Sequence, residues 1–334
     1  MTETNKKQPL LQVKNLKTYF HSSRGTVKAV NDVSYEVYQG ETLGVVGESG
    51  CGKSITSMSI ARLVECPPGK YEGGEILLDG EDMLKVSDQR LREIRGNKIS
   101  YIFQEPMTSL NPVFKIGYQI EEVLRLHKGM SKEEARKAAI DALDKVRIPN
   151  PERIVDEYPF ALSGGMRQRV MIAMALACSP KLLIADEPTT ALDVTIQAQV
   201  LDLMNNLKKE MDTSIIFITH DLSVIAEMAD RVMVMYAGKV VELADVNTIF
   251  ENPLHPYTKG LIGSRPDMNT NADRLTVIPG NVPDLSKLPE GCSFSPRCAF
   301  CDKKCHEGMP ELVEVEPGHF VKCHFAKERA AKKD

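Results

Sequence analysis

The sequence predicts an α/β protein built on a mostly parallel sheet. Two short apolar runs, Leu182–Ala185 and Ile215–Thr219, are separated by a helical stretch from about 194 to 210. Buried strands that alternate with helices are typical of a parallel sheet covered on both faces. Two regions differ from this pattern. Residues 11–46 alternate apolar and polar positions, which indicates antiparallel strands, and residues 115–160 have the charged periodicity of a helical insertion.

Length and composition narrow the class of protein. A chain of 334 residues, 42% hydrophobic and 26% charged, is an ordinary globular protein with one large domain and an appendage, or two domains. Its net charge of -4 argues against a nucleic-acid partner. The longest apolar run, Val170–Cys178, is shorter than the roughly 20 residues of a membrane-spanning helix. The first ten residues lack the apolar core of a signal peptide. We therefore expect a cytoplasmic chain that contacts a membrane through partners.

The elements follow one another in a clear order. After the antiparallel region, we expect a strand at Thr42–Val46 and a helix over 53–63. The side chains predicted for the buried face of that helix are Ile55, Met58, Ile60 and Leu63. Ser131 and Glu134 have capping-box spacing and predict a helix start inside the insertion.

Proline, glycine and asparagine accumulate from about residue 263, and helical periodicity is lost there. This shift in composition predicts a main domain over 1–262, with a helical subdomain at about 105–178. The remainder, 263–334, is then a small extension that ends in a charged, solvated tail.

A glycine-rich loop follows the strand Thr42–Val46 and matches G-x-x-x-x-G-K-[ST]. Its residues are Gly47, Glu48, Ser49, Gly50, Cys51, Gly52, Lys53 and Ser54. Glycines let backbone N–H groups face a phosphate, and the N-terminus of the following helix favours an anion. Lys53 would contact the β- and γ-phosphates, and the Ser54 hydroxyl would bind Mg2+. A glycine turn with a chance lysine is the alternative, which the flanking strand and helix disfavour; the loop thus predicts nucleotide binding.

Two carboxylates, Asp186 and Glu187, end the apolar strand that begins at Leu182. The carboxyl edge of an open α/β sheet is where its ligands bind. Asp186 is the predicted Mg2+ ligand and Glu187 the predicted base for an attacking water. Exposed acids are common, so the pair alone is weak evidence. Successive residues of a strand point to opposite faces, so both acids can serve one site only where the chain turns.

A second glycine-rich string, Leu162–Arg169, resembles the LSGGQ-type signature of the ABC ATPases. The resemblance implies a RecA-like P-loop core with an antiparallel β subdomain and a helical subdomain, here followed by a small Cys-rich extension. In that family the loop that corresponds to Ser163, Gly164 and Gly165 faces the γ-phosphate held by the opposite subunit, so two cassettes enclose each ATP.

Other elements of the family occur in order over about residues 10–262, and the resemblance implies their roles. Gln104 is similar to the Q-loop glutamine that touches Mg2+ and water, and Ala191-Leu192-Asp193 resembles the D-loop. His220 resembles the switch histidine that contacts the γ-phosphate. Tyr19 or Phe20 would stack on adenine, although a core aromatic fits either position. The implied catalytic residues are Lys53, Gln104, Glu187 and His220.

Three longer strings resemble the ATPases of dipeptide and oligopeptide importers: Gln104–Pro112, Asn252–Thr258 and Gly291–Cys298. Met166 in the signature resembles the residue found there in one of the two ATPase subunits of such importers, the D-type. The resemblance implies a second, F-type ATPase, two transmembrane permeases, an extracytoplasmic peptide-binding protein, and a peripheral place on the cytoplasmic face of the membrane. Import of nickel or glutathione by the same architecture is an alternative. A soluble ABC ATPase of translation or repair is another, although translation types carry two cassettes. A regulatory binding module conflicts with the intact Glu187 and His220.

Five of the eight cysteines lie between Cys292 and Cys323. In a reducing cytosol such a group indicates a metal or redox site, and soft thiolates suit an iron–sulfur cluster or tetrahedral zinc. In the resembling family, cysteines at the positions of Cys292, Cys298, Cys305 and Cys323 ligate a [4Fe–4S] cluster. Cys301 lies outside that pattern, as a competing ligand or a free thiol. Zinc stays an alternative because of three nearby histidines: His306, His319 and His324. Disulfides or unbound thiols are a further alternative.

Overall fold

The computed structural model describes residues 8–23, 25–104, 109–190, 192–264 and 278–331. The chain divides into two compact units. The first unit is formed mainly by Val37–Thr42 and Lys85–Thr219, and the second by Leu10–Glu36, Leu43–Leu84 and His220–Asp334.

The strands agree closely with the predicted apolar and alternating segments, and Thr42–Val46 is confirmed to the residue. In chain order they are β1 Leu11–Ser22, β2 Gly25–Val37, β3 Thr42–Val46, β4 Gly69–Leu78, β5 Glu81–Asp82, β6 Ile99–Ile102, β7 Leu182–Asp186, β8 Ser214–Ile218, β9 Arg231–Tyr236, β10 Lys239–Asp245, β11 Val313–Glu316 and β12 His319–Val321.

The helices include the predicted insertion. In chain order they are α1 Lys53–Ile60, α2 Asp88–Ile94, α3 Ile116–Lys128, α4 Lys132–Lys145, α5 Pro151–Ile154, α6 Gly164–Leu176, α7 Val194–Met211, α8 Leu222–Met228, α9 Val246–Glu251, α10 Pro256–Gly263, α11 Lys304–Glu307 and α12 Ala326–Ala331. None of the described helices is long and apolar enough to span a membrane.

The first unit contains the predicted parallel sheet. Strands β6, β7 and β8 run parallel, with Ile99 opposite Leu182 and Ala185 opposite Phe217. All residues of β7 and β8 are buried, as expected for strands covered on both faces. Helices α3 to α5 form the predicted insertion. The capping box at Ser131 is confirmed, because its Oγ accepts from the N–H of Glu134 while the Glu134 carboxylate accepts from the N–H of Ser131.

The second unit contains the predicted antiparallel region and more. One sheet has the order β2-β1-β4-β5. Strand β3 pairs in parallel with β9, and β9 pairs antiparallel with β10. The extension joins the sheet that contains β9 and β10, because β12 pairs antiparallel with β10, with Val321 opposite Glu242. A boundary near 262 stays a prediction, since residues 265–277 lie outside the described part of the chain.

Helix α1 differs from its prediction in length and in its buried face. It ends at Ile60 rather than 63, and its buried face includes Thr56, Ser57 and Ser59. Their hydroxyls donate to backbone carbonyls three or four residues earlier, at distances of 2.7 to 2.9 Å, so a hydroxyl face can be buried without unsatisfied donors. Of the four apolar side chains predicted for this face, only Ile60 is fully buried.

Candidate functional site: a phosphate loop and a carboxylate edge

The phosphate loop is shaped by glycines that no larger residue could replace. Gly47 has a φ of 152°, and a Cβ there would lie 2.3 Å from the carbonyl oxygen of Met235. Gly52 has a φ of 102°, and its Cβ would lie 2.3 Å from the carbonyl oxygen of Ala29. Side chains rarely adopt such φ values, and real Cβ atoms do not approach backbone so closely. The loop therefore lies directly against the backbone of β2 and β9.

The lysine of the loop is held close to the loop backbone. The Lys53 ammonium donates to the carbonyl oxygen of Gly47 at 2.7 Å and to that of Glu48 at 3.2 Å. Lys53 as a whole is only 7% exposed. Cys51 is fully buried, and burial raises the pKa of its thiol, so it stays protonated at neutral pH. A packing role fits Cys51 better than redox chemistry.

The two carboxylates lie where β7 ends, in the first unit. Asp186 is buried and accepts a hydrogen bond from the Tyr101 hydroxyl at 2.9 Å. Glu187 has a φ of 48°, in the left-handed region, so the chain turns at this residue as the pairing of the two acids required. Its carboxylate accepts from the Gln104 amide at 3.0 Å and from the Thr190 hydroxyl at 3.0 Å. Gln104 and Glu187, predicted independently, are therefore in contact.

The second glycine loop begins α6. Ser163 is the N-cap, and its Oγ accepts from the N–H of Met166 at 3.3 Å. Ser163 and Gly164 are exposed, and a Cβ on Gly164 would meet nothing within 4 Å. A Cβ on Gly165 would lie 2.9 Å from the side chain of Ile196. The loop thus presents an open helix N-terminus with free space on one side and a neighbouring helix on the other.

The remaining predicted residues occupy varied positions. His220 lies two residues after the end of β8 and is exposed. Tyr19 and Phe20 are both half-buried on β1. The Tyr19 hydroxyl donates to Asn31 at 2.9 Å, whereas a Cβ on Gly69 would lie 3.3 Å from the Phe20 ring. In the string that resembles the D-loop, Ala191 lies outside the described residues; so do residues 105–108 of the string that begins at Gln104.

Four cysteines of the extension share one pocket. The pocket is lined by Cys292, Cys298, Cys305 and Cys323, together with His255, Phe294, Phe300, Phe325 and Arg329 among others. The exposed Cys301 is not part of it, and its sulfur lies 3.3 Å from His306 Nε2. Burial, together with the neighbouring thiols, raises the pKa of Cys292 to about 11. The four thiols are therefore close enough to affect one another, and a bound cation would reverse the shift.

The thiols and histidines of the extension are the donor types that zinc or an iron–sulfur cluster would use. Among the described residues, no group of three or more His, Cys, Asp or Glu side chains is arranged to hold a metal ion. Tetrahedral zinc requires four ligands that converge to within roughly 2.3 Å of one ion. His319 does not line the pocket of the four cysteines, and its Nε2 contacts the buried Glu242 carboxylate at 2.7 Å, whereas His324 does line the pocket. A [4Fe–4S] cluster holds its four thiolates on separate irons, so its ligands need not converge on one ion.

Some contacts of these loops have no signal in the sequence. The Glu48 carboxylate is bound by Arg297 of the extension, and the N–H of Glu48 donates to the Tyr257 hydroxyl at 2.8 Å. Thr190, which contacts Glu187, also belongs to no recognised pattern. The strings that contain Tyr257 and Arg297 resemble peptide-importer sequences, but nothing in them indicates a contact with the phosphate loop.

Comparisons with known proteins agree with this geometry. A family profile described as ABC transporter matches residues 30–190. A second profile, Oligopeptide/dipeptide transporter, C-terminal region, matches residues 241–305. Among solved structures, the ATP-binding cassette MJ0796, in a dimeric post-hydrolysis state bound to ADP and Pi, is similar with a TM-score of 0.64 and 30% identity. That similarity covers 71% of this chain and 98% of the cassette.

Curated relatives match almost the whole chain. The oligopeptide transport ATP-binding protein AppD of Bacillus subtilis is 53% identical over 96% of this chain and 98% of its own length. A protein of Brucella melitensis named as a peptide import ATP-binding protein is 51% identical over 97% of this chain and 99% of its own length. Identity of this extent shows family membership. The chain therefore belongs to the ATP-binding subunits of ABC peptide and oligopeptide transporters, and it is an ABC-type ATPase.

Proposed function

We propose that this chain hydrolyses ATP to drive the import of dipeptides and oligopeptides through a membrane ABC transporter. The observation that carries this proposal is the identity of about one half, over nearly the whole chain, to proteins named for peptide import and oligopeptide transport. The match of residues 241–305 to a profile described as the C-terminal region of oligopeptide/dipeptide transporters supports it.

In this proposal the loop from Gly47 to Ser54 binds the phosphates of ATP. Backbone N–H groups at the start of α1 face the β-phosphate, and the Lys53 ammonium moves from the loop carbonyls to the β- and γ-phosphates. Tyr19 or Phe20 stacks on the adenine. Ser54, Asp186 and Gln104 carry the oxygen donors that Mg2+ prefers. When bound, Mg2+ neutralises charge on the phosphates.

Glu187 is the proposed base of hydrolysis. It takes a proton from the attacking water, whose oxygen bonds to the γ-phosphorus while the bond to the β,γ-bridging oxygen breaks, leaving ADP and inorganic phosphate. The contacts of Glu187 with Gln104 and Thr190 support the assignment, because they fix the carboxylate at the turn after β7. His220 is the proposed contact to the γ-phosphate.

The loop of Ser163, Gly164 and Gly165 is the proposed contact to the ATP held by a second cassette. Its exposure and the free space at Gly164 support this role. The partners proposed are a second, F-type ATPase subunit, two transmembrane permeases and an extracytoplasmic peptide-binding protein. The chain would lie on the cytoplasmic face of the membrane, held there by the permeases.

The test is the ATPase activity of the reconstituted transporter with solutes added through its binding protein. We expect dipeptides or oligopeptides to stimulate turnover. Stimulation by nickel or glutathione alone would keep the architecture and contradict the peptide cargo. No stimulation by any solute would contradict a transport function and favour a soluble ABC ATPase.

We further propose that Cys292, Cys298, Cys305 and Cys323 hold a [4Fe–4S] cluster, with zinc as the alternative metal. Support comes from the four thiols that line one pocket and from the exclusion of Cys301 from its lining. Among the described residues, Val321 and Ala326 of the small extension form a buried apolar cluster with Leu254, which precedes the extension. A segment with so small a core gains much from a covalent or metal link, so a structural role is proposed.

Anaerobic purification tests the cluster. We expect a broad visible absorption band and about four irons for each chain. Cys305→Ser should abolish both, whereas Cys301→Ser, at the neighbouring exposed thiol, should retain them. Stoichiometric zinc without iron would favour zinc as the bound metal. The absence of both zinc and iron would contradict a metal site.

A further inference from the structure

The phosphate loop contains an acid. Glu48 is the second residue of the loop, and its side chain is 31% exposed. A carboxylate beside a site for the highly charged phosphates of ATP repels them, and the repulsion is strong where water is partly excluded. Loop residues that bind anions normally contribute N–H groups or cations. An unpaired Glu48 charge in this loop would therefore oppose ATP binding.

Arg297 neutralises it. The two terminal nitrogens of its guanidinium donate to the two carboxylate oxygens of Glu48 at 2.6 and 3.0 Å, an arrangement in which both ends are bidentate. The Arg297 side chain is only 4% exposed. Hydrogen bonds of this charge-assisted, forked kind are among the stronger ones in proteins, and lysine cannot reproduce the fork.

Arg297 is itself fixed. Its Nε donates to the carbonyl oxygen of Pro279 at 2.9 Å, and its guanidinium carbon lies 5.8 Å from the centre of the Tyr236 ring. Since Tyr236 ends β9 and Arg297 ends a 3-10 turn at Ser295–Arg297, the guanidinium joins the extension to the sheet. An arginine anchored in this way holds Glu48 in one place rather than following it.

Glu48 has a second contact, which its backbone makes. The N–H of Glu48 donates to the hydroxyl of Tyr257 at 2.8 Å. The Tyr257 ring is fully buried and packs against Tyr236 and Phe294, with centroid distances of 4.7 and 5.5 Å. Both the side chain and the backbone of Glu48 are thus bound by residues more than 200 positions later in the chain.

We propose that Arg297 is a positioning residue for ATP binding: it removes the charge of Glu48 from the phosphate site and holds the loop in its binding shape. This inference rests on the proposed role of the loop from Gly47 to Ser54 in binding ATP. It gives the carboxyl-terminal extension a part in nucleotide binding that is separate from any metal held by its cysteines.

The test is a double-mutant cycle on the full chain, read as the dissociation constant of a fluorescent ATP analogue with Mg2+. Arg297→Ala should weaken binding by roughly tenfold, because Glu48 is left unpaired beside the phosphates. In a Glu48→Gln background the same Arg297→Ala change should weaken binding by less than about twofold. A purely structural role for Arg297 would weaken binding equally in both backgrounds and would overturn the inference.

Controls separate this inference from the proposed function. Lys53→Ala should abolish binding, and failure of the unmodified chain to bind would contradict the ATP-binding role itself. Arg90→Ala removes a matched arginine from an exposed ion pair with Glu93 and should leave the dissociation constant unchanged. Should Arg297→Ala unfold below the assay temperature, Arg297→Lys replaces it in the cycle, with an expected loss of roughly threefold that again requires Glu48.

Discussion

Two glycine-rich loops of this chain each lead into the N-terminus of a helix, yet they are supported very differently. The phosphate loop before α1 lies against the backbones of Ala29 and Met235 and is bound by Tyr257 and Arg297. The loop before α6 is held by the local cap of Ser163, and a Cβ on Gly164 would meet nothing. Both offer backbone N–H groups to an anion, but only the first is fixed from many sides.

The difference corresponds to the two proposed roles. A loop that must surround a phosphate within its own chain benefits from being formed before the ligand arrives, because less ordering is then required on binding. A loop that must meet the nucleotide of a second subunit has to remain open on the side that the partner approaches.

The largest effect is expected at Glu187, which belongs to neither loop. If the loops bind ATP and Glu187 supplies the base, Glu187→Gln should lower turnover by roughly 10²–10⁴-fold while ATP binding is retained. The measurement is the ATPase rate of the assembled transporter beside nucleotide binding by the isolated chain. Glu93→Gln on exposed α2 is the control and should keep the full rate. A near-normal rate in Glu187→Gln would remove Glu187 as the base.

Alanine substitutions at glycines compare the two loops directly. Gly47→Ala should lower the free energy of unfolding by about 2–4 kcal/mol, because its Cβ would clash with the carbonyl of Met235. Gly50 lies in the same loop, but a Cβ there would meet nothing within 4 Å. Gly50→Ala should therefore lower the free energy of unfolding by only about 1 kcal/mol, from the backbone strain at a φ of 76°. Gly164→Ala should change stability by less than about 0.5 kcal/mol. Urea unfolding of the isolated chain measures all three.

The activity of Gly164→Ala then shows whether Gly164 contacts the ATP of a second cassette. If Gly164 meets the nucleotide of a second cassette, the stable variant should show reduced ATPase activity in the assembled transporter. Full activity in that assembly would mean that the open loop before α6 is not a contact to ATP, and the comparison of the two loops would lose its functional meaning.

Much of this arrangement follows from the sequence because it depends on local patterns. The strand Thr42–Val46, the capping box at Ser131 and the parallel strands β7 and β8 are all set by short-range periodicity and hydrogen bonding, and the structure contains each of them. The turn at Glu187 was also predictable, since two adjacent acids of a strand can serve one site only where the strand ends.

Long-range contacts could not be predicted in the same way. Arg297 and Glu48 are 249 residues apart, and no periodicity relates them. The buried face of α1 was predicted wrongly for a related reason. Apolar periodicity assigned Ile55, Met58 and Leu63 to the core, but the hydroxyl side chains of the helix satisfy themselves locally and take the buried positions. In both cases the apolar periodicity of the sequence contains no signal for the contacts that the polar side chains make.

The hairpin that supports the phosphate loop contains a buried lysine. The N–H of Gly238 donates to the carbonyl oxygen of Cys51, and the next residue, Lys239, is 9% exposed with its ammonium on the carbonyl oxygen of Asn31. Burial lowers the pKa of Lys239 to about 8, and the charges of Lys322 and Lys28 contribute. The unfolded chain, with a lysine pKa near 10.4, therefore binds more protons than the folded chain between about pH 8 and 10.

Stability contributed by this group must consequently rise with pH across that window, because the cost of the buried charge is fully present below pH 8 and disappears as the folded chain releases its proton. From pH 7 to pH 9 the unmodified chain should gain about 1 kcal/mol in free energy of unfolding relative to Lys239→Met, which has no charge to lose. Urea unfolding of both proteins at the two pH values measures the difference. Parallel changes in the two proteins would mean that Lys239 is well solvated, and that the support behind the phosphate loop is looser than its burial indicates.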